Sequence, residues 1–176
     1  MVIYKSIFIF IFLYAAMERV LSTFFDKKQK TRGKIKYRWF TYLLICSYLC
    51  CIFVAILEFM TKVSIDYTIS IIGVFTTGIG ILLRNASIKA LGEFWSIHIE
   101  TFDGQRVVTS GPYRFLRHPY SIAVIFELIG VSLFFNATRA VLIVLLLHLP
   151  LLLMRILLEE KMLLGFRKSE EHGKLA

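Results

Sequence analysis

The chain reads as an all-α integral membrane protein of about five spanning helices. Two observations carry that reading. Hydrophobic residues make up 57% of the 176, and the mean hydropathy is +0.71, whereas a soluble domain sits nearer half apolar. The excess is also gathered into runs at residues 2–25, 39–60, 67–83, 119–135 and 140–158. At about 1.5 Å per helical residue each run crosses, or nearly crosses, a bilayer core of about 30 Å. Too little chain lies outside the runs for a separate soluble domain. The expected organisation is one membrane domain, 1–176, with three helices in 1–83 and a second half, 84–176.

The first run has Lys5 ahead of its apolar stretch, as a signal peptide would. It has no small-residue cleavage pattern, and it stays apolar past Glu18 and Arg19, so it reads as a spanning helix. A basic stretch follows, with Lys27, Lys28, Lys30, Arg32, Lys34, Lys36 and Arg38 against Asp26. The second run opens on Trp39 and Tyr42, aromatics suited to a membrane interface. It holds all three cysteines, Cys46, Cys50 and Cys51, whose spacing fits neither a disulfide framework nor a zinc site. They read as small packing residues, and no metal is expected. Gly73, Gly78 and Gly80 in the third run allow close helix approach. The fourth and fifth runs are separated only by Asn136, Ala137, Thr138 and Arg139, which makes them a helical hairpin.

The formal net charge of +9 is explained by where the basic residues stand. They flank apolar runs, which assigns them to anionic headgroups and the positive-inside rule and not to nucleic acid. The stretch 27–38, the segment 84–117 (Arg84, Lys89, Arg106, Arg114, Arg117) and the tail share one side. Lys5, Lys62 and Arg139 fall on the other. This places the amino terminus outside and both polar segments in the cytoplasm.

The segment 84–117 is long for a loop in a compact domain, and such loops are more often functional than structureless. It contains Leu91-Gly92-Glu93-Phe94-Trp95, then Gly111-Pro112-Tyr113, then Arg117-His118-Pro119. Gly111-Pro112 forces a turn, and Pro119 suits a first helical turn, where its missing N–H breaks no bond. The N–H groups at that helix start are open to a polar or anionic ligand. On spacing alone, an interfacial helix start decorated with basic residues accounts for the pattern as well. A second cluster is Arg155, Glu159 and Glu160. Arg155 and Glu159 share a helix face, so a simple ion pair is the plain reading. Two acids near a helix C-terminus nevertheless oppose the macrodipole, which points to a cationic ligand. Glu127 and His148 fall inside membrane runs, where ionisable groups usually face a bundle interior or cavity. No glycine-rich nucleotide loop, zinc-protease helix or serine elbow is present.

The block Gly111-Pro112-Tyr113-x-x-x-Arg117-His118-Pro119, a helical hairpin, and then Arg155-x-x-x-Glu159-Glu160 resembles the isoprenylcysteine carboxyl methyltransferase family. That family overlaps the phospholipid methyltransferases in this half. The likeness covers residues 91–164. The Leu-Gly-x-x-Trp element and Glu127 are most similar to small bacterial members, which implies a bacterial inner membrane. The resemblance implies a cytoplasmic S-adenosylmethionine pocket formed by the segment before the fourth helix and by the last helix, with a helical tail. Gln105, Arg106, Val107 and Val108 would line the cofactor, joined by Tyr113, His118, Pro119, Tyr120 and Ser121. Glu159 and Glu160 would meet its polar groups, and Glu100 would add a contact upstream. Arg155 would be the catalytic residue on the acceptor side, with Glu127 also assigned to substrate. The acceptor would be lipophilic or lipid-borne. The chain departs from the family pattern in two places: Tyr120-Ser121 stands where an aromatic is usual one place later, and the tail lacks the usual Gly-x-x-Tyr. The rival readings are a nicotinamide-dependent membrane reductase of the steroid-reductase type and a non-catalytic membrane subunit.

Overall fold

A stripe of apolar and small residues at helical spacing runs down residues 40–59 and organises the bundle. The computed structural model describes Ser6, Phe10, Tyr14 and Met17, residues 34–101 and residues 108–173. Helix α1 (Arg38–Thr61) buries Phe40, Leu44, Ser47, Cys51, Ala55 and Phe59 on one face. Three clusters line that face from end to end. Ala55 and Phe59 meet Val131, Phe134, Phe135 and Ala140. Cys51 meets Val124, Leu128 and Val144, and Phe40 and Leu44 meet Leu152. Cys51 is therefore the packing cysteine, while Cys46 and Cys50 are exposed on the outer surface.

Helix α2 (Tyr67–Leu91) is followed by a 3₁₀ turn (Gly92–Phe94), and helix α3 (Pro119–Phe134) by helix α4 (Thr138–Ile143). The chain then passes through one π-helical turn (Val144–His148) into α5 (Leu149–Gly173). Arg38–Thr61, Tyr67–Leu91 and Thr138–Met162 are each long and apolar enough to cross a membrane. Helix α3 has 16 residues and is shorter; its neighbours cover most of its surface. Phe53, Phe75, Leu82 and Leu146 stand exposed on the outer faces, where lipid and not water is the matching solvent. The chain is an integral membrane protein. Of the expected first span, 2–25, Ser6, Phe10, Tyr14 and Met17 are helical and exposed; the rest lies outside the described residues, as does most of the basic stretch.

One expectation needs correction. The third run does not stop at residue 83. Its helix continues to Leu91 and takes Arg84 inside the bundle, fully buried. Arg84 is therefore not a loop charge, and the division at 83/84 cuts a continuous helix. The all-α class holds, with one short addition: β1 (Lys34–Lys36) pairs antiparallel with β2 (Ile99–Thr101), with Ile35 opposite Glu100. That ladder joins the segment before α1 to the segment after α2, so both polar stretches gather at one end of the bundle.

The opposite end is closed by side chains that cap helices. Asp66 accepts from the Thr68 and Ile69 N–H groups at the start of α2. Asn136, at φ 55°, accepts from Asp66 N and donates to the Ser70 hydroxyl. Glu58 accepts from Arg139 N at 2.9 Å. Each of these bonds satisfies backbone or hydroxyl groups that would otherwise be costly away from water.

The α2–α3 seam is built on missing side chains. A Cβ at Gly73 would collide with the Phe134 backbone, and one at Gly130 with Thr77. Nothing lies within 4 Å of a Cβ at Gly78, so this third glycine is not part of the seam. Gly73→Ala and Gly130→Ala are each expected to cost about 1–3 kcal/mol through overpacking. Gly78→Ala should be neutral or stabilising by up to about 1 kcal/mol, since alanine favours helix. Melting temperatures in one detergent check this. Equal losses at Gly73 and Gly78 would contradict the seam.

Candidate active site

The site end is made by three sharp changes of chain direction. Helix α2 ends at Gly92, whose φ of +56° suits a residue without a Cβ. The following turn carries Trp95 inward to 6% exposure. Gly111, at φ +57°, and Pro112 then open a second 3₁₀ turn (Gly111–Arg114) that turns Tyr113 toward the bundle. Pro119 starts α3 and is fully buried. His118 stands at the N-cap, where its side chain makes no capping bond, so the imidazole is available to a partner elsewhere.

That partner is on the last helix. His118 Nε2 lies 3.2 Å from Glu160 Oε1, and Arg117, largely exposed, reaches the same oxygen at 4.0 Å. One turn earlier on α5, Arg155 Nε donates to Glu159 Oε1 at 2.8 Å. The arginine is 12% exposed and the carboxylate 29%. Tyr113 joins this group. Burial raises its phenol well above the usual range, and the Glu159 carboxylate pushes the same way, against the pull of Arg155. The phenol therefore stays protonated and is able to donate a hydrogen bond. Tyr120 sets its ring edgewise on Trp95, with centroids 6.4 Å apart.

The expected residues divide accordingly. Tyr113, His118, Tyr120, Arg155, Glu159 and Glu160 come to one end of the bundle. Val108 is half-buried in the segment leading there, and Ser121 is buried on α3. Glu100 sits on β2, placed by its backbone. Gln105, Arg106 and Val107 lie outside the described residues. Glu127 stands about two turns up α3, a distance of roughly 10 Å from Tyr120 at 1.5 Å per residue. It is held by Arg84, whose Nε donates to Glu127 Oε1 at 2.6 Å. His148 is paired across to α1, with Nδ1 2.8 Å from Ser47 Oγ.

Two contributors were not on the expected list. Trp95 was visible in the Leu-Gly-x-x-Trp element but carried no assigned contact. Arg84 read as a charge of the polar segment, although with Gly73, Thr77 and Gly80 it continues one helix face at spacings of four, three and four. Among the described residues no group of three or more His, Cys, Asp and Glu side chains is placed to hold a metal ion.

The donor set has a definite chemical character. Two half-exposed carboxylates on one helix suit a cationic ammonium group, and a protonated phenol suits an acceptor oxygen or nitrogen. Arg155 suits an anion. A ligand with an ammonium and several hydrogen-bonding groups, beside an anionic second substrate, fits these residues.

Comparison with known proteins accords with that character. The isoprenylcysteine carboxyl methyltransferase (ICMT) family matches residues 71–165, which includes most of α2, all of α3 and the Arg155–Glu160 stretch. A curated relative, the uncharacterized protein YpbQ of Bacillus subtilis (strain 168), is 29% identical over 82 residues. That alignment takes in 47% of this chain and 49% of the relative, so the chain spans about half the length of the curated relative it matches.

Proposed function

This chain belongs to the isoprenylcysteine carboxyl methyltransferase family, and from that premise we propose that it is a membrane methyltransferase. Its donor would be S-adenosylmethionine and its acceptor a lipophilic, membrane-borne molecule. The observation that carries this reading is the meeting of the Arg117-His118-Pro119 helix start with Glu159 and Glu160 of α5, bridged by the 3.2 Å contact of His118 and Glu160.

Glu159 and Glu160 would hold the cationic amino group of the cofactor, and the Tyr113 phenol would donate to one of the cofactor's acceptor oxygens or nitrogens. When bound, S-adenosylmethionine supplies an activated methyl whose carbon leaves a sulfonium for the acceptor heteroatom, the bonding electron pair remaining on sulfur. An in-line displacement of this kind asks the protein for position and electrostatics above all. Arg155 would bind and orient an anionic acceptor. Its present bond to Glu159 keeps the guanidinium fixed and points it along the same helix face as the carboxylates. A carboxylate acceptor would lose no proton, whereas a thiol or ammonium acceptor would release one to solvent. Orienting the site end toward the cytoplasm, where the donor is dissolved, follows from the lysine and arginine bias and completes the reading.

Isothermal titration of the detergent-solubilised protein with S-adenosylhomocysteine tests the cofactor assignment. Saturable binding in the micromolar range is expected. A folded sample that binds none at high micromolar ligand would remove the assignment, and a thermal shift with NADPH in its place would favour reduction chemistry.

A further inference from the structure

We propose that the buried Arg84–Glu127 pair is a positioning device: it sets the depth and rotation of α3 along α2, and so where His118 and Tyr120 stand against α5. The pair takes no part in binding cofactor or acceptor. The methyltransferase reading enters only in choosing the ligand that reports the effect.

The physical case begins with what holds two helices in lipid. Lipid tails are as apolar as leucine, so no hydrophobic force selects one register over another. The α2–α3 seam is lined by Gly73, Gly80 and Gly130, which gives close contact but few interlocking side chains. Helix α3 is short, at 16 residues, and it carries the His118 end of the candidate site. A displacement along the seam would therefore move the site directly.

Directional bonds oppose that displacement at two heights: at the far end of α3 the Ser70 hydroxyl donates to the Phe134 carbonyl at 3.0 Å, and nearer the site stands an ion pair. Arg84 and Glu127 meet at 2.6 Å with side-chain exposures of 0% and 4%. A hydrogen bond of this length tolerates little sliding or rotation. The seam is also cut to fit it: a Cβ at Gly80 would lie 2.8 Å from Glu127 Cγ and 2.8 Å from Glu127 N. Only glycine leaves room there for the glutamate to reach the arginine. Glu127 and Tyr120 are seven residues apart, two turns on the same face. Tyr120 rests on Trp95, just beyond the end of α2. The seam is thus held at three points: the Ser70–Phe134 bond at its far end, the ion pair within it and, just past the end of α2, the ring contact at the site. Buried ion pairs are weak as net stabilisers compared with apolar side chains of the same volume. Geometric specificity is the role left for this one.

The test uses the full chain in detergent with Trp39→Phe, which leaves Trp95 as the one tryptophan of the two. Trp39 is exposed on α1, away from the seam. Emission of Trp95 and affinity for S-adenosylhomocysteine are measured in Glu127→Gln, Arg84→Lys and Gly80→Ala. Temperatures are kept where the helical circular dichroism is unchanged. Glu127→Gln removes the counter-charge; Gly80→Ala keeps both charges and fills the notch. Both are expected to shift the Trp95 emission and weaken ligand affinity by about tenfold. Arg84→Lys, which retains a charged partner, is expected to stay near the parent in both readouts. Variants that melt earlier but keep the parent's emission and affinity would overturn the proposal, leaving the pair a mere stabiliser. If Glu127→Gln does not fold, Gly80→Ala decides by the same readouts. A parent protein that binds no S-adenosylhomocysteine removes the cofactor reading, and the Trp95 emission alone then decides the positioning role.

Discussion

Arg155→Ala is expected to lower methyl transfer on the order of a hundred- to a thousandfold while leaving S-adenosylhomocysteine affinity within about twofold of wild type. Glu159→Gln is expected to do the reverse. It weakens cofactor binding by roughly 1–3 kcal/mol, because a charged contact to a cation becomes a neutral one. The reason for the split is geometric. The two residues stand four apart on α5 and bond each other at 2.8 Å, yet their charges suit opposite ligands. Their bond could also be no more than a helix-end ion pair. Such pairs contribute about 0.3–0.5 kcal/mol, and then both variants would lose a little stability together with no separation of binding from turnover. Titration and melting temperature on both proteins, with turnover read by labelled methyl donor on a lipid extract, distinguish the two. Equal and mild effects would leave Arg155 without a catalytic role.

The second large effect is on stability. Arg84→Met and Glu127→Met are each expected to cost about 3–5 kcal/mol, because each strands one charge where water cannot reach it. The double variant should recover most of that loss and fall within about 2 kcal/mol of wild type, since two methionines fill similar volume without desolvating an ion. Unfolding of the singles and the double in one detergent measures the coupling. Additive losses in the double would mean that Arg84 and Glu127 act separately, against the 2.6 Å contact between buried side chains.

The seam and the site relate to one another through α3. Its two ends are held by different chemistry. At one end Asn136 and Glu58 tie the hairpin to α1 and α2; at the other His118 reaches α5. Between them the Arg84–Glu127 bond marks a fixed height. A short helix so held can present Tyr120 and His118 reproducibly, which suits a reaction whose demand on the protein is chiefly orientation.

Much of this protein was legible in its residues. Membrane class, the helical runs from residue 39 onward and the hairpin follow from hydropathy and length, because the bilayer imposes one scale on every span. The grouping of Tyr113, His118, Arg155 and Glu159 was expected from a resemblance in motif, not from spacing, and the site end brings these residues together. Local pattern could not decide partners. Arg84 read as a headgroup charge because it follows an apolar run. Its burial depends on α3 offering Glu127 and on Gly80 leaving space, and those residues are 43 positions and four positions away. Glu127 likewise read as a substrate contact, since a carboxylate in an apolar run states only that it needs a partner, not which one. Gly78 looked equivalent to Gly73 and Gly80, but only the rotation of α2 against α3 decides which glycine meets a neighbour. Composition and periodicity determined what each helix is and that it lies in a membrane, because those properties are set by a residue and its near neighbours. Pairing across the seam, the strand ladder behind the site and the height of α3 were decided by tertiary structure, because they depend on which distant face each helix turns toward another.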